Sequence, residues 1–441
     1  MVIAEHEALE HEMHVKLIVR RLGFCALAAA LLQAGGAAHA ENWPQWRGPR
    51  NDGISRETGL PFAWSKTENV AWRLPLPGPA GSTPVVWEDH IFLTSAKEQD
   101  LVLLCAGTDG KLLWERKLAS GNERVRGDEG NYASPSPVTD GEHVWAFMGT
   151  GDLACYDFAG KEKWKLNVQD RYGDFDIAFG MTSTPVLDGG RLYLQMLHSN
   201  DALVAALDKA TGEGIWKHSR KSDAYAECEH SYASPMLYRD DKQAYLLTHG
   251  ADYVVAHDLD TGSEIWRCGG MNPRGNYNPT LRFVASPVAV PGLIVVPSAK
   301  NGPVLGLDPQ ASGDISDGQS GHLWRRRENT PDVPSPLVHD GLVYLCRENG
   351  ILICMEAATG KEVYQERAFS DRYRASPVYA DGRIYLTARG GVVTVVKAGR
   401  QFEILASNKL GESISASPAI SGGRIYLRSF EALYAIEDGA R

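Results

Sequence analysis

A serine-proline signature recurs eight times along this chain, and each copy introduces a short apolar run. The copies are Ser82-Thr83-Pro84, Ser136-Pro137, Ser183-Thr184-Pro185, Ser234-Pro235, Ser286-Pro287, Ser335-Pro336, Ser376-Pro377 and Ser417-Pro418. Successive prolines lie 53, 48, 50, 52, 49, 41 and 41 residues apart. Self-similarity at about 40–50 residues means a solenoid, a propeller or an array. One closed object of eight like units is the reading this spacing favours.

Each unit reads alike after its proline. An apolar strand meets a glycine turn, as in Thr139-Asp140-Gly141 or Ala380-Asp381-Gly382, and a β-branched and aromatic strand follows, such as Ile384-Tyr385-Leu386. A third strand then ends in an acidic residue, and a Thr-Gly reversal leads to a fourth strand carrying an aromatic. Gly212 and Gly262 suit a turn needing positive φ, which glycine alone adopts without steric cost. Four short strands per unit, with no helical period, describe the blade of an all-β, eight-bladed propeller, WD40-like in architecture.

The fourth-strand aromatics are Trp114, Trp164, Trp216, Trp266, Trp324 and Tyr364, with Phe402-Glu403-Ile404-Leu405 as a degenerate seventh. The eighth, Trp72, precedes the first unit, and the last unit has room for only three strands. The segment around Trp72 is therefore expected to supply the outer strand of the final blade, closing the ring and removing an exposed sheet edge. The A-x-D-x-x-T-G-x-x-x-W pattern at 206–216 and 256–266 resembles the tryptophan-docking repeat of the pyrroloquinoline-quinone (PQQ) propeller superfamily. That superfamily includes quinoprotein alcohol dehydrogenases and the assembly factor BamB. The resemblance runs from Trp72 to the C-terminus and implies that each Trp packs between neighbouring blades. It implies fold more than function, because one fold hosts unrelated activities.

Three regions are expected: a secretory signal over 1–40, a lead-in over 41–69, and the propeller over 70–441. Lys16, Arg20 and Arg21 precede an apolar run, and Ala38-His39-Ala40 suits cleavage, with Met13 a more natural start than Met1. A periplasmic or secreted monomer follows, without a membrane span. Of seven cysteines, one lies in the leader. Cys346 is expected opposite Ile351, and Cys228 with Cys268 is the one pair placed to form a disulfide. No zinc spacing appears. The lead-in W-P-x-W-R-G-P carries Trp43 and Trp46, read as pinning the chain to the propeller wall, with sugar binding as the alternative. The insert Pro309–His322 in the fifth unit is read as a flexible hairpin tip.

Loops after the second and fourth strands of a blade share one face. The long ones after the early fourth strands carry Arg124, Arg126, Asp128 and Tyr132; Arg171, Tyr172, Asp174 and Asp176; Glu227, Glu229, His230 and Tyr232; and Arg274, Asn276, Tyr277 and Arg282. Charges interleaved with aromatics resemble a recognition surface. The shorter loops after the second strands carry Lys97, His198, His249, Lys300, Arg347, Arg389 and Arg428. In a chain of formal net charge −10, repeated cations at one topological position suggest a funnel for anions. The same net charge and the absence of a basic stripe disfavour nucleic acid.

The resemblance implies that catalytic members hold calcium beside the quinone with a Glu/Asn/Asp set, use an Asp base and often carry an adjacent Cys-Cys disulfide. This chain has no Cys-Cys pair. The reading is a non-catalytic propeller binding an envelope protein, a peptide or a saccharide or other anionic ligand, with no catalytic residue, metal or cofactor assigned. The alternatives are an oxidoreductase holding PQQ with calcium at the axis, and a hydrolase acting through Asp174 and Asp176.

Overall fold

The structure is a computed structural model that describes residues 40–126 and 130–440. The expected leader and Asp128 lie outside the described residues. Eight antiparallel sheets of four strands follow one another. Blade one is built from Val85–Trp87, His90–Lys97, Asp100–Gly107 and Leu112–Ser120. Blade four is built from Met236–Arg239, Ala244–Gly250, Tyr253–Asp258 and Glu264–Cys268. Blade eight takes Ala419–Ser421, Arg424–Arg428 and Ala432–Ile436 from the C-terminus and its outer strand, Val70–Pro75, from the N-terminus. Trp72 pairs with Ala435 in that outer strand. The ring is closed as expected.

The blades lock through their fourth strands. The indole N–H of Trp72, Trp114, Trp164, Trp216 and Trp324 donates to Thr108, Phe158, Lys209, Leu259 and Ala357, each a carbonyl in the tight turn of the next blade, at 2.7–3.1 Å. The glycine of that turn lies beneath the ring. A Cβ on Gly262 would sit 2.5 Å from Trp216, and its φ is +75°. Gly262→Ala is expected to cost about 2–3 kcal/mol, from left-handed strain plus the clash. Urea denaturation checks this, and a loss below 0.5 kcal/mol would contradict the docking geometry.

Trp266 is fully buried and its indole nitrogen meets no partner among the described residues. The next blade has no Thr-Gly turn there, because its insert follows a different course. Gly313–Asp314 pairs in parallel with Trp266 and Arg267, adding a fifth strand to blade four, and Ile315 is buried. This corrects the expected hairpin tip. Tyr364 occupies the docking position of blade six and meets Phe402 edge-on at 5.6 Å.

Two cysteine readings are also corrected. Cys228 and Cys268 are both free and turn toward different partners, Asn278 O and His322 Nε2. Cys346 lies opposite Leu352, because Arg347 and Ile351 close the turn.

The lead-in does not run along the wall. It crosses the axis on the face of the first-to-second-strand turns. Trp43 pairs with Val86 of blade one, and Pro44 O accepts from Thr139 N of blade two. Arg47 then donates to Pro336 O and Pro377 O at the starts of blades six and seven. Blades two and six are opposite in an eight-fold ring, so the strap spans a diameter. Trp43 is fully buried, and Trp46 is half-buried beneath the axis. They are not a surface sugar platform.

Candidate axial site

The recurring hydroxyl before each proline builds the floor of the site. The backbone N–H of each donates to the hydroxyl of the next blade, from Thr83 to Ser136, Thr184, Ser234, Ser286, Ser335, Ser376 and Ser417, at 2.9–3.1 Å. Ser417 N donates back to Thr83 Oγ1 at 3.2 Å, closing the circle. Proline explains the register: it has no N–H and fixes φ, so each inner strand starts where the ring needs it. These hydroxyls and Trp46 enclose a cavity of about 140 Å³ on the axis.

Above the ring lies the residue three before each proline. Blades eight, one, two and three place Ser415, Gly81, Ser134 and Thr182 there, whereas blades five and six place Val284 and Val333. Tyr232 of blade four and Arg374 of blade seven stand between these two arcs. The well is thus small and hydroxylic on one side and aliphatic on the other. Its upper cavity, about 220 Å³, opens toward the long loops, where Arg126, Phe179, Arg282 and Asp332 join the lining.

Two arginines flank an aromatic ring at the mouth. The guanidinium of Arg126 lies 5.2 Å from the Phe179 ring centroid and that of Arg282 lies 4.8 Å from it. Arg282 also pairs with Glu227 at 2.7 Å. Asp332 accepts from Lys300 N at 3.1 Å. Tyr232 is 9% exposed, and burial pushes its phenol well above the usual range, so it stays protonated.

Of the expected long-loop residues, Arg126, Tyr232 and Arg282 converge on the well. Arg171 turns to Gly212 O, and Arg274 to Asp223. Tyr277 stacks on Tyr225 and donates to Asp252. Asp174 and Asp176 are both exposed. His230 Nε2 meets Ser199 Oγ at 3.1 Å while its Nδ1 faces the Ala178 N–H, an arrangement that leaves Nε2 carrying the proton. That tautomer cannot deprotonate the serine, and burial keeps the imidazole pKa low.

The expected cationic funnel does not assemble. Lys97 pairs outward with Glu115, and Lys300 reaches Thr280. His198 Nδ1 faces the Asn200 N–H, and Arg347 reaches Asn301 on the preceding blade. His249 and Arg428 are fully buried, and Arg389 lies over Phe430. The physical reason is radial. Loops after the second strand sit over the blade body, and the segment entering the inner strand is what reaches the axis. Phe179, Asp332 and Arg374 were missed for that reason, yet their signal was present for Arg374, which holds the same register before its proline as Tyr232.

A second cleft of about 500 Å³ lies between the strap and blades six and seven, lined by Arg50, Asp52, Arg56, His339, Tyr379 and Asp381. Its charges serve the strap: Arg50 pairs with Asp52, and Asp381 accepts from Gly59 N.

A family model described as outer membrane protein assembly factor BamB matches residues 105–366 and, overlapping, 313–440. The chain belongs to the PQQ-like propeller family. Among solved structures it is similar to BamB from Moraxella catarrhalis, with 13% identity, TM-score 0.61, and 84% of this chain and 98% of that one covered. It is also similar to the quinohemoprotein alcohol dehydrogenase of Comamonas testosteroni, at 14% identity and TM-score 0.66 over 91% and 81% of the two chains. A europium-containing methanol dehydrogenase matches at 13% identity and TM-score 0.65 over 89% and 90%. No curated protein matches. Identities this low carry the fold alone.

The resemblance implies a calcium-held quinone, and the chemistry of the well's lining decides whether such a group fits. Calcium takes 6–8 oxygen ligands, several of them carboxylates. Asp332 is the one carboxylate lining the upper cavity among the described residues, and no group of three or more His, Cys, Asp or Glu converges among them. The cavity is also smaller than the roughly 300–1,000 Å³ of sites that bury a drug-sized ligand. These residues do not fit the group.

Proposed function

We propose that this protein is an exported, non-catalytic binding propeller of the cell envelope. It uses the long-loop face to hold a peptide segment of a partner protein at the mouth of the axial well. The observation that carries this is the one-sided well: strapped shut at Trp46, and open where Arg126 and Arg282 flank the Phe179 ring at its mouth. Aromatics and arginines are the residues enriched where proteins recognise one another. The description of the matching family model, an assembly factor, supports a partner-binding role. Among the described residues no helix is long and apolar enough to cross a membrane.

Selection of a random peptide library on the full chain is expected to return a consensus. The synthetic consensus peptide should bind at least tenfold more weakly to a variant carrying Arg126→Glu and Phe179→Ser. Lys361→Glu, on the tight-turn face, should leave binding unchanged. No consensus, or equal loss from Lys361→Glu, overturns the reading. Addition of PQQ and Ca²⁺ is expected to give only background dye-linked alcohol oxidation, and robust turnover would replace this reading with the oxidoreductase one.

A further inference from the structure

The strap opens with a reciprocal clamp. The backbone nitrogen of Glu41 donates to Glu57 Oε1 at 2.9 Å. The Glu41 carboxylate accepts from Ser55 Oγ at 3.0 Å and Arg56 N at 2.7 Å. Glu57 in turn reaches the last blade, accepting from Gly422 N at 2.7 Å and Gly423 N at 2.6 Å. Those glycines make the first-to-second-strand turn of blade eight, between paired Ser421 and Arg424, with φ of +66° and +74°. A two-residue turn of that hand leaves both its N–H groups outside the ladder, open to an acceptor. One carboxylate thus ties position 41 to the end of the ring.

Position 41 is also a boundary. Glu41–Arg441 forms one compact unit, Glu41 is half-buried, and Ala40 is exposed. The Ala38-His39-Ala40 motif ends on the same bond. Charge on this segment is unbalanced. It carries the carboxylates of Glu41, Asp52 and Glu57, and Arg50 lies 3.7 Å from the first and 3.1 Å from the second. With exposed Arg56 counted as well, these side chains still fall one positive charge short. An amide N–H at Glu41 gives Glu57 a donor but no charge.

We infer that the Ala40–Glu41 peptide bond is a maturation site, and that its hydrolysis frees an α-ammonium at Glu41 that pairs with Glu57 and locks the strap to blade eight. Water adds across the bond under an endopeptidase of the export route. The new carboxylate stays on Ala40 and departs with the leader, and the nitrogen takes up protons. Its hydrogen bond to Glu57 becomes charge-assisted, about twice as strong as a neutral one. The leader-bearing chain lacks that charge and closes its strap less firmly than the processed one. This rests on the exported reading above and is independent of what the propeller binds.

The test uses the full chain, expressed with its leader and recovered from the envelope. N-terminal sequencing is expected to read Glu41-Asn42-Trp43. A glycine inserted between Ala40 and Glu41 keeps the N–H at position 41 and moves the ammonium one residue out, which sequencing verifies. In urea denaturation the insertion should lower the folding equilibrium constant about fivefold in the natural background and less than about twofold beside Glu57→Gln. Equal losses in both backgrounds would make Glu57 a neutral acceptor only, and overturn the inference. Should Glu57→Gln fail to fold, the α-amine itself decides. At pH 7.5 its acylation should be about threefold or more slower in the natural protein than in the glycine-extended one, because pairing holds it protonated. Equal rates overturn the inference. A processed terminus other than Glu41 does so too, while leaving export intact. Recovery only from the cytoplasm, with residues 1–40 attached, removes the exported reading as well.

Discussion

Replacing Arg47 by leucine is expected to lower the unfolding free energy by about 4 kcal/mol, whereas Arg50→Leu, three residues on, should cost less than about 1 kcal/mol. Arg47 is 1% exposed and donates to Asp52 O at 2.9 Å, Pro336 O at 2.7 Å and Pro377 O at 3.4 Å. Burial lowers its pKa only to about 10, so it remains charged near neutrality. Hydrogen bonds from a charged donor contribute about 1.5–3 kcal/mol each, and the sum is less than additive. Leucine would also leave two inner-strand carbonyls sealed away from water without a donor. Arg50 pairs with Asp52 at 3.1 Å and Glu41 at 3.7 Å, but its side chain is 36% exposed. Exposed pairs contribute little. Urea denaturation of the two variants checks the contrast, and comparable losses would mean that the strap does not hold blades six and seven through Arg47.

That strap marks the boundary of what local sequence reveals here. The eightfold count and the closing role of Trp72 were legible because the proline register and the docking motif repeat, and each repeat carries its own turn chemistry. The strap's path depends on carbonyls of Pro336 and Pro377, nearly three hundred or more residues away, which nothing in W-P-x-W-R-G-P encodes. Gly53 bears the trace in retrospect: its φ is +81°, and a Cβ there would lie 2.7 Å from the Arg47 guanidinium. The insert of blade five was misread similarly, because its glycine-rich composition suggests a solvated loop while Ile315 is the anchor. At the site, Arg126, Tyr232 and Arg282 were legible as long-loop residues. The second-strand cations were grouped by topology alone, and topology does not say that His249 and Arg428 point into the blade interfaces.

The burial of His249 has a consequence for pH, shared with His257. His257 Nδ1 faces Gly262 O at 3.1 Å, and its Nε2 faces Thr248 Oγ1 at 3.0 Å. Thr248 Oγ1 also accepts from Arg220 Nε, which places a buried guanidinium one hydroxyl away from the imidazole and disfavours a second positive charge on the ring. His249 Nε2 donates to Pro297 O at 2.8 Å, with Phe283 stacked on the ring at 4.4 Å. Desolvation, reinforced by the buried Arg220, pulls both imidazoles down to about 3, against 6.5 unperturbed. A base whose folded pKa is depressed contributes full stability above its unfolded pKa and loses it as pH falls toward the folded value, because the unfolded chain binds the extra proton. Each histidine should therefore cost about 2 kcal/mol at pH 5 relative to pH 7.5, about 4 kcal/mol for the two. The lowered carboxylates, such as Asp258, act in the same direction only below their ordinary range near 4, so the window between 6.5 and 4.5 belongs mainly to histidines. His198, His230 and His339 are also shifted down by partial burial and add smaller amounts. Urea denaturation at pH 7.5 and pH 5 is expected to show this loss in the natural protein and a markedly flatter response in a His249→Gln, His257→Gln variant, which is less stable at neutral pH but has fewer protons to take up. A double variant that loses as much between the two pH values as the natural protein would place the titration elsewhere.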